Sequence, residues 1–402
     1  MKYIVILGDG MADYPIETLG GRTPLEAADK PHMDAIAQKG TVGMVQTIPT
    51  GMPPGSDAAN MSVMGFAPAR YYSGRSPLEA VSMGIELGAD DVTYRTNLVT
   101  LSEEADFTAR TMLDYSAGEI STAEAKELIE ALQPLFAAHG LELYAGISYR
   151  HCAVRRSGDT GALLTPPHDI SGKPISVHLP KGSYGVELER LLVEASAVLV
   201  RHPVNLKRIA AGKHPANSVW FWGEGTKPSF SPFESLYGKK GGVVCAVDLI
   251  RGLGLCAGMR VLTPPGATGG MVTDYRAKAD AALTLLREVC DLVYIHIEAP
   301  DECGHQGNAR AKVAAIEAID RDVLGHIMEE LNMAGEDYRI LLCPDHPTPV
   351  AIRTHTGEPI PFVVYDSRKA QEGTPRYTEE YAKSTGRFLP EGPMLMKQLL
   401  EL

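Results

Sequence analysis

Short apolar runs recur at both ends of this 402-residue chain, and acids lie just past them. Tyr3-Ile4-Val5-Ile6-Leu7-Gly8 leads into Asp9. Asp291-Leu292-Val293-Tyr294-Ile295-His296-Ile297 precedes Asp301, and Arg339-Ile340-Leu341-Leu342-Cys343 leads into Asp345-His346. A continuous apolar run is the pattern of a parallel strand covered on both faces. Helical patterns lie between these runs, in the second half of 24–39, over 57–64 and over 309–333. Strands alternating with helices predict an α/β fold, a mostly parallel sheet sandwiched by helices. Ligands of such sheets gather at the carboxyl ends of strands, which is where Asp9, Asp301 and Asp345 fall.

The middle of the chain has a different rhythm. Thr93-Tyr94-Arg95-Thr96-Asn97-Leu98-Val99-Thr100-Leu101 and residues 107–113 mix polar and apolar positions, a helix is predicted at 122–138, and a strand-like run follows at 141–150. This predicts a smaller α+β unit inserted in the first. The expected division is 1–90 with 266–402 for the site-bearing domain and 91–265 for the insert.

Bulk properties exclude some functions. The formal net charge of -12 and the lack of a long Lys/Arg run argue against a nucleic-acid partner. No segment has the apolar length of a membrane helix. The N-terminal run is too short for a signal peptide and ends in an acid, so the expected location is cytoplasmic. Cys152, Cys245, Cys256, Cys290, Cys303 and Cys343 include no C-x-x-C pair, which fits a reducing compartment. Oligomeric state is not legible.

Asp9, Asp301, His305, Asp345, His346 and His355 are the donors that two divalent cations need. Asp301 and His305 are four apart and share a face if helical. Ser56, in Pro53-Pro54-Gly55-Ser56-Asp57, precedes a helical stretch. It is either an N-cap or a nucleophile whose oxygen a metal activates. Arg150, His151, Arg155 and Arg156 are candidates for an anionic substrate, as is Lys278. Gly252-Leu253-Gly254-Leu255-Cys256-Ala257-Gly258 misses the dinucleotide spacing, and there is no P-loop.

Gly8-Asp9-Gly10-Met11, Pro54-Gly55-Ser56-Asp57, Asp301 to His305, Pro344-Asp345-His346 and Thr354-His355-Thr356 resemble the archaeal-type, cofactor-independent phosphoglycerate mutases, within the alkaline-phosphatase-like superfamily. The resemblance spans essentially the whole chain. It implies one metal held by Asp301, His305 and His355, and a second held by Asp9, Asp345, His346 and the Ser56 oxygen, with Mn, Zn or Mg as the ion. It also implies a phosphoserine at Ser56, a small phosphorylated metabolite as substrate, and arginines of the insert gripping it. One departure is Ala58-Ala59-Asn60, where such mutases carry Thr-Ala-His. A bacterial side branch with similar wording has been proposed to be a homoserine kinase. Three activities are therefore expected candidates: a phosphoglycerate mutase first, then an ATP-dependent kinase on the same scaffold, then a phosphatase.

Overall fold

The apolar runs pair side by side. In the computed structural model, which describes residues 1–402, they form one eight-stranded sheet. Its strands are β1 (Lys2–Gly8), β2 (Thr41–Val45), β3 (Gly241–Val244), β4 (Arg260–Leu262), β5 (Leu292–Ile297), β6 (Tyr338–Cys343), β7 (Ile360–Asp366) and β8 (Phe388–Leu389). Their order across the sheet is β4-β3-β5-β1-β6-β7-β2-β8. Only β7 is antiparallel to its neighbours. The fold class is thus the α/β arrangement expected. β1 sits between β5 and β6, with Leu7 opposite both His296 and Cys343. Ile4 and Ile6 of β1 pack with Val293 and Ile295 of β5 and Ile340 and Leu342 of β6, under helices Tyr275–Glu288 and Ala309–Ala318. Burial of such side chains contributes roughly 1.5–3 kcal/mol each.

The chain divides into Met1–Tyr72 with Phe230–Leu402, and Ser73–Ser229. These bounds differ from the expected 90/91 and 265/266. β3 and β4 hydrogen-bond into the large sheet through β5, so 241–262 belongs to the first unit. At the other boundary, helix Ser76–Ser82 packs on strand Val92–Leu101 and joins the second. Strands of three and four residues carry too little periodicity to be placed from sequence.

In the second unit, Val92–Leu101 is the central strand of a five-stranded antiparallel sheet. It lies between Ser218–Thr226 and Arg150–Arg155. The predicted helix is Thr122–Ala138, opened by a capping box between Ser121 and Glu124. Its buried stripe of Ala125, Leu128, Ile129, Leu132 and Phe136 has the spacing of one helix face.

The long helix expected at 309–333 is interrupted. Ala309–Ala318 passes into a π-wound stretch, Ile319–Gly325, before His326–Met333. There Asp320 accepts from the backbone N–H groups of His32 and Met33, which ties the helix Pro31–Lys39 to the wide turn.

Candidate active site

Three adjacent strands, β5, β1 and β6, deliver acids and imidazoles to one end of the large sheet. Asp9 follows β1, Asp345 and His346 follow β6, and Asp301 opens out of helix Ala299–His305 after β5. Asp9, Asp345 and His346 are fully buried. Asp345 Oδ1 accepts from the backbone N–H of Gly10 at 3.0 Å and of His346 at 2.9 Å.

Ser56 is the first residue of helix Ser56–Val63 and does not act as its cap. Its Oγ lies 3.0 Å from His346 Nε2. The tautomer of that imidazole follows from its other side. The Thr348 hydroxyl donates to Asp301 Oδ1, so its oxygen is left to accept from His346 Nδ1, 3.2 Å away. Nε2 then carries the lone pair. Burial lowers the affinity of His346 for a second proton, so the ring stays neutral.

The electron-rich atoms around that lone pair make the test of a cation site. Asp345 Oδ2 is 3.3 Å and Asp9 Oδ1 is 3.6 Å from His346 Nε2. Asp9 Oδ1 is buried and has no hydrogen-bond partner. Burial, then the charges of Asp345, Glu298 and Asp301, hold the Asp9 carboxyl well above the usual carboxylate range. A carboxyl driven to keep its proton marks a place short of positive charge, and a divalent cation supplies it.

A second group adjoins the first, with the His346 and His355 ring centroids 4.0 Å apart. Asp301 Oδ2 is 3.2 Å from His305 Nε2, and Asp301 Oδ1 is 3.3 Å from His355 Nε2. His305 Nδ1 donates to the Arg353 carbonyl at 3.0 Å, which turns Nε2 inward. Lys312, fully buried, ties the surrounding loops together. Its Nζ reaches Asp13 Oδ2 at 2.7 Å, the Thr348 carbonyl at 2.8 Å and the Ala12 carbonyl at 3.2 Å.

A family profile described as 2,3-bisphosphoglycerate-independent phosphoglycerate mutase matches residues 37–205. A Geobacter sulfurreducens protein named "Probable 2,3-bisphosphoglycerate-independent phosphoglycerate mutase" is 49% identical over all of both chains. The chain belongs to the 2,3-bisphosphoglycerate-independent phosphoglycerate mutase family. A Methanothrix thermoacetophila relative of that name is 48% identical, again over all of both chains. The solved cofactor-independent phosphoglycerate mutase of Thermoplasma acidophilum is similar in fold, with a TM-score of 0.66 at 26% identity over 100% of this chain and 99% of that one.

In this mutase-family chain all seven expected donors, Asp9, Ser56, Asp301, His305, Asp345, His346 and His355, lie in the two adjoining groups. Two further residues reach the same place. His296 Nε2 is 2.9 Å from Asp9 Oδ2, and Glu298 is close enough for all three to hold an ion. Their signal in the sequence is a polar pair two apart at the end of an otherwise apolar run. Lys278, fully buried, donates to the His296 carbonyl at 3.1 Å, and burial pushes its ammonium down to about 8.

The four expected anion contacts of the smaller unit are not gathered. Arg155 pairs with Glu187 and lies over the Tyr184 ring; Arg156 pairs with Asp91 and Glu142. His151 is buried and accepts from the Gly146 N–H at 3.0 Å. Successive strand residues face opposite sides, so a run of basic residues is dispersed rather than focused. Arg150 instead joins a group that sequence reasoning missed. Glu79 bonds Arg75 at 2.8 Å and Arg95 at 2.9 Å, and Arg150 is near enough to lower the Glu79 carboxyl further. Arg95 lies 4.1 Å over the Trp222 ring, and His168 packs edge-on to the same ring. The missed signal is Arg95 and Asn97 inside the Val92–Leu101 strand, every residue of which is buried.

Proposed function

We propose that this chain interconverts 3-phosphoglycerate and 2-phosphoglycerate without 2,3-bisphosphoglycerate, through a phosphoserine at Ser56. The observation that carries the reading is the Ser56 Oγ held 3.0 Å from His346 Nε2, inside one donor group and beside another. Asp9, Ser56, Asp345 and His346 would hold one divalent cation; Asp301, His305 and His355 would hold the other. When bound, the cations lower the pKa of the serine hydroxyl and neutralise phosphate charge. Mixed nitrogen and oxygen donors suit Mn or Zn better than Mg.

Ser56 Oγ forms a bond to phosphorus as the bond from phosphorus to one glycerate oxygen breaks, and the serine proton ends on the departing hydroxyl. The reverse step uses the other hydroxyl of the same glycerate. Glycerate has to be retained between the two steps, and the role proposed for the smaller unit is to hold its carboxylate through Arg75, Arg95 and Arg150. The setting proposed is the cytoplasm, since all six cysteines are free thiols and five are buried.

A paired assay with Mn tests the reading. One arm follows 3-phosphoglycerate to 2-phosphoglycerate without ATP, the other ATP consumption with homoserine. Turnover in the first, abolished by Ser56→Ala, is expected. A silent first arm with an active second would overturn the mutase reading and keep the scaffold. Phosphate trapped on a residue other than Ser56 would overturn the nucleophile.

A further inference from the structure

Asn60 is fully buried and lies one turn beyond Ser56 on the same helix, yet neither donor group includes it. Its side-chain bonds are all committed. Nδ2 donates to the Ser56 carbonyl at 2.9 Å and to Asp345 Oδ2 at 2.8 Å, while Oδ1 accepts from the Tyr294 hydroxyl at 2.7 Å. The amide has one permitted orientation. A carbonyl and a carboxylate only accept, so Nδ2 must face them and Oδ1 must face the phenol. Tyr294 comes from β5, is fully buried, and supplies the one donor that makes this orientation complete.

Two consequences follow for Asp345. Its carboxylate receives N–H groups on both oxygens, from Gly10 and His346 on Oδ1 and from Asn60 on Oδ2. Its rotation is thereby stopped with Oδ2 held 3.3 Å from His346 Nε2. The same Nδ2 also holds the backbone of Ser56, so one amide sets the spacing between Asp345 and the residue carrying the nucleophile.

We infer that Asn60 and Tyr294 are positioning residues for the Asp345 side of the site. They fix the carboxylate oxygen offered to a cation and the Ser56 backbone in a single frame. This rests on the reading that Asp345 and Ser56 share a cation. It also accounts for Asn60 in physical terms: the position demands two N–H donors and one acceptor, which a primary amide supplies and an imidazole does not.

The test is a calorimetric titration of the ion-free full-length protein with Mn²⁺. The wild type is expected to show two binding events, and His355→Ala identifies one by removing it. Asn60→Leu and Tyr294→Phe should each weaken the other event by about 10- to 100-fold, the usual effect of losing a group that orients a ligand. The event lost in His355→Ala should keep its affinity in both variants. A purely structural role would lower thermal stability without separating the two events. Tyr294→Phe keeps the ring and its packing, so it decides the matter if Asn60→Leu does not fold. Wild-type affinity at both events in folded Tyr294→Phe overturns the inference, as does equal weakening of both. No Mn²⁺ binding by the wild type overturns it together with the two-cation reading.

Discussion

His305 and His355 point their Nε2 atoms at one another across 3.0 Å, and Asp301 stands within 3.3 Å of each. Two imidazole nitrogens facing each other beside a carboxylate form a donor set that fits a divalent cation. His355→Ala is therefore expected to lower bound Mn by one ion per chain and to reduce turnover by at least about 100-fold, while the fold survives. Metal analysis after dialysis and a thermal melt check it. An unchanged metal content would remove His355 from the ligand set.

Gly10 lies where two requirements meet. Its N–H donates to Asp345, its φ is +59°, and a Cβ there would stand 2.7 Å from Asp301 Oδ1. Gly10→Ala should cost about 1–2 kcal/mol for the left-handed backbone alone. It should also push Asp301 from its imidazoles, lowering kcat/KM by about 10- to 100-fold. Kinetics and a urea melt on the same preparation separate these effects. Wild-type kcat/KM would show that Asp301 tolerates displacement.

The arginines of the smaller unit divide into two kinds. Arg155 and Arg156 are held by Glu187, Asp91 and Glu142, whereas Arg75, Arg95 and Arg150 surround a single Glu79. The second group is the one proposed to meet the substrate carboxylate. Arg150→Ala is expected to raise KM for phosphoglycerate about 10- to 100-fold, the loss of one charge-assisted hydrogen bond. Arg155→Ala should leave KM within about 2-fold. The opposite ranking would return the anion contact to Arg155.

His151 sets an acid limit on stability. Burial, with Arg150 beside it, holds its imidazole down to about 3. In the unfolded chain it titrates near 6.5, so between those values the unfolded state binds a proton that the folded state refuses. Stability from this group is complete above about 6.5 and falls as pH drops toward 3. Relative to His151→Gln, which does not titrate, the wild type should lose about 2 kcal/mol between pH 6.5 and pH 5. Urea melts of both proteins at the two pH values measure this, and parallel profiles would refute it.

The candidate metal donors other than His355 are legible because they lie just past an apolar strand or on the helix after one, so register and chemistry point to the same spot; His355 lies in the loop between β6 and β7. The proposed grip on the anion is not legible, because Arg75, Arg95 and Trp222 are brought together only by cross-strand pairing and a packed helix. A run such as Arg150 to Arg156 looks focused on paper and is dispersed by strand alternation. Asn60 was visible as a departure from family wording, but its duty depends on Tyr294, more than two hundred residues away.

β1 is paired on one edge by residues 292–297 and on the other by residues 338–343. Both neighbours lie far along the chain from β1, and until they are in place β1 has two open edges. An apolar strand with two open edges is a template for mispairing. A cation shared by Asp9 and Asp345, as proposed, therefore has its ligands assembled only when β1 and β6 pair, so the proposed site is a product of long-range pairing and of neither strand alone.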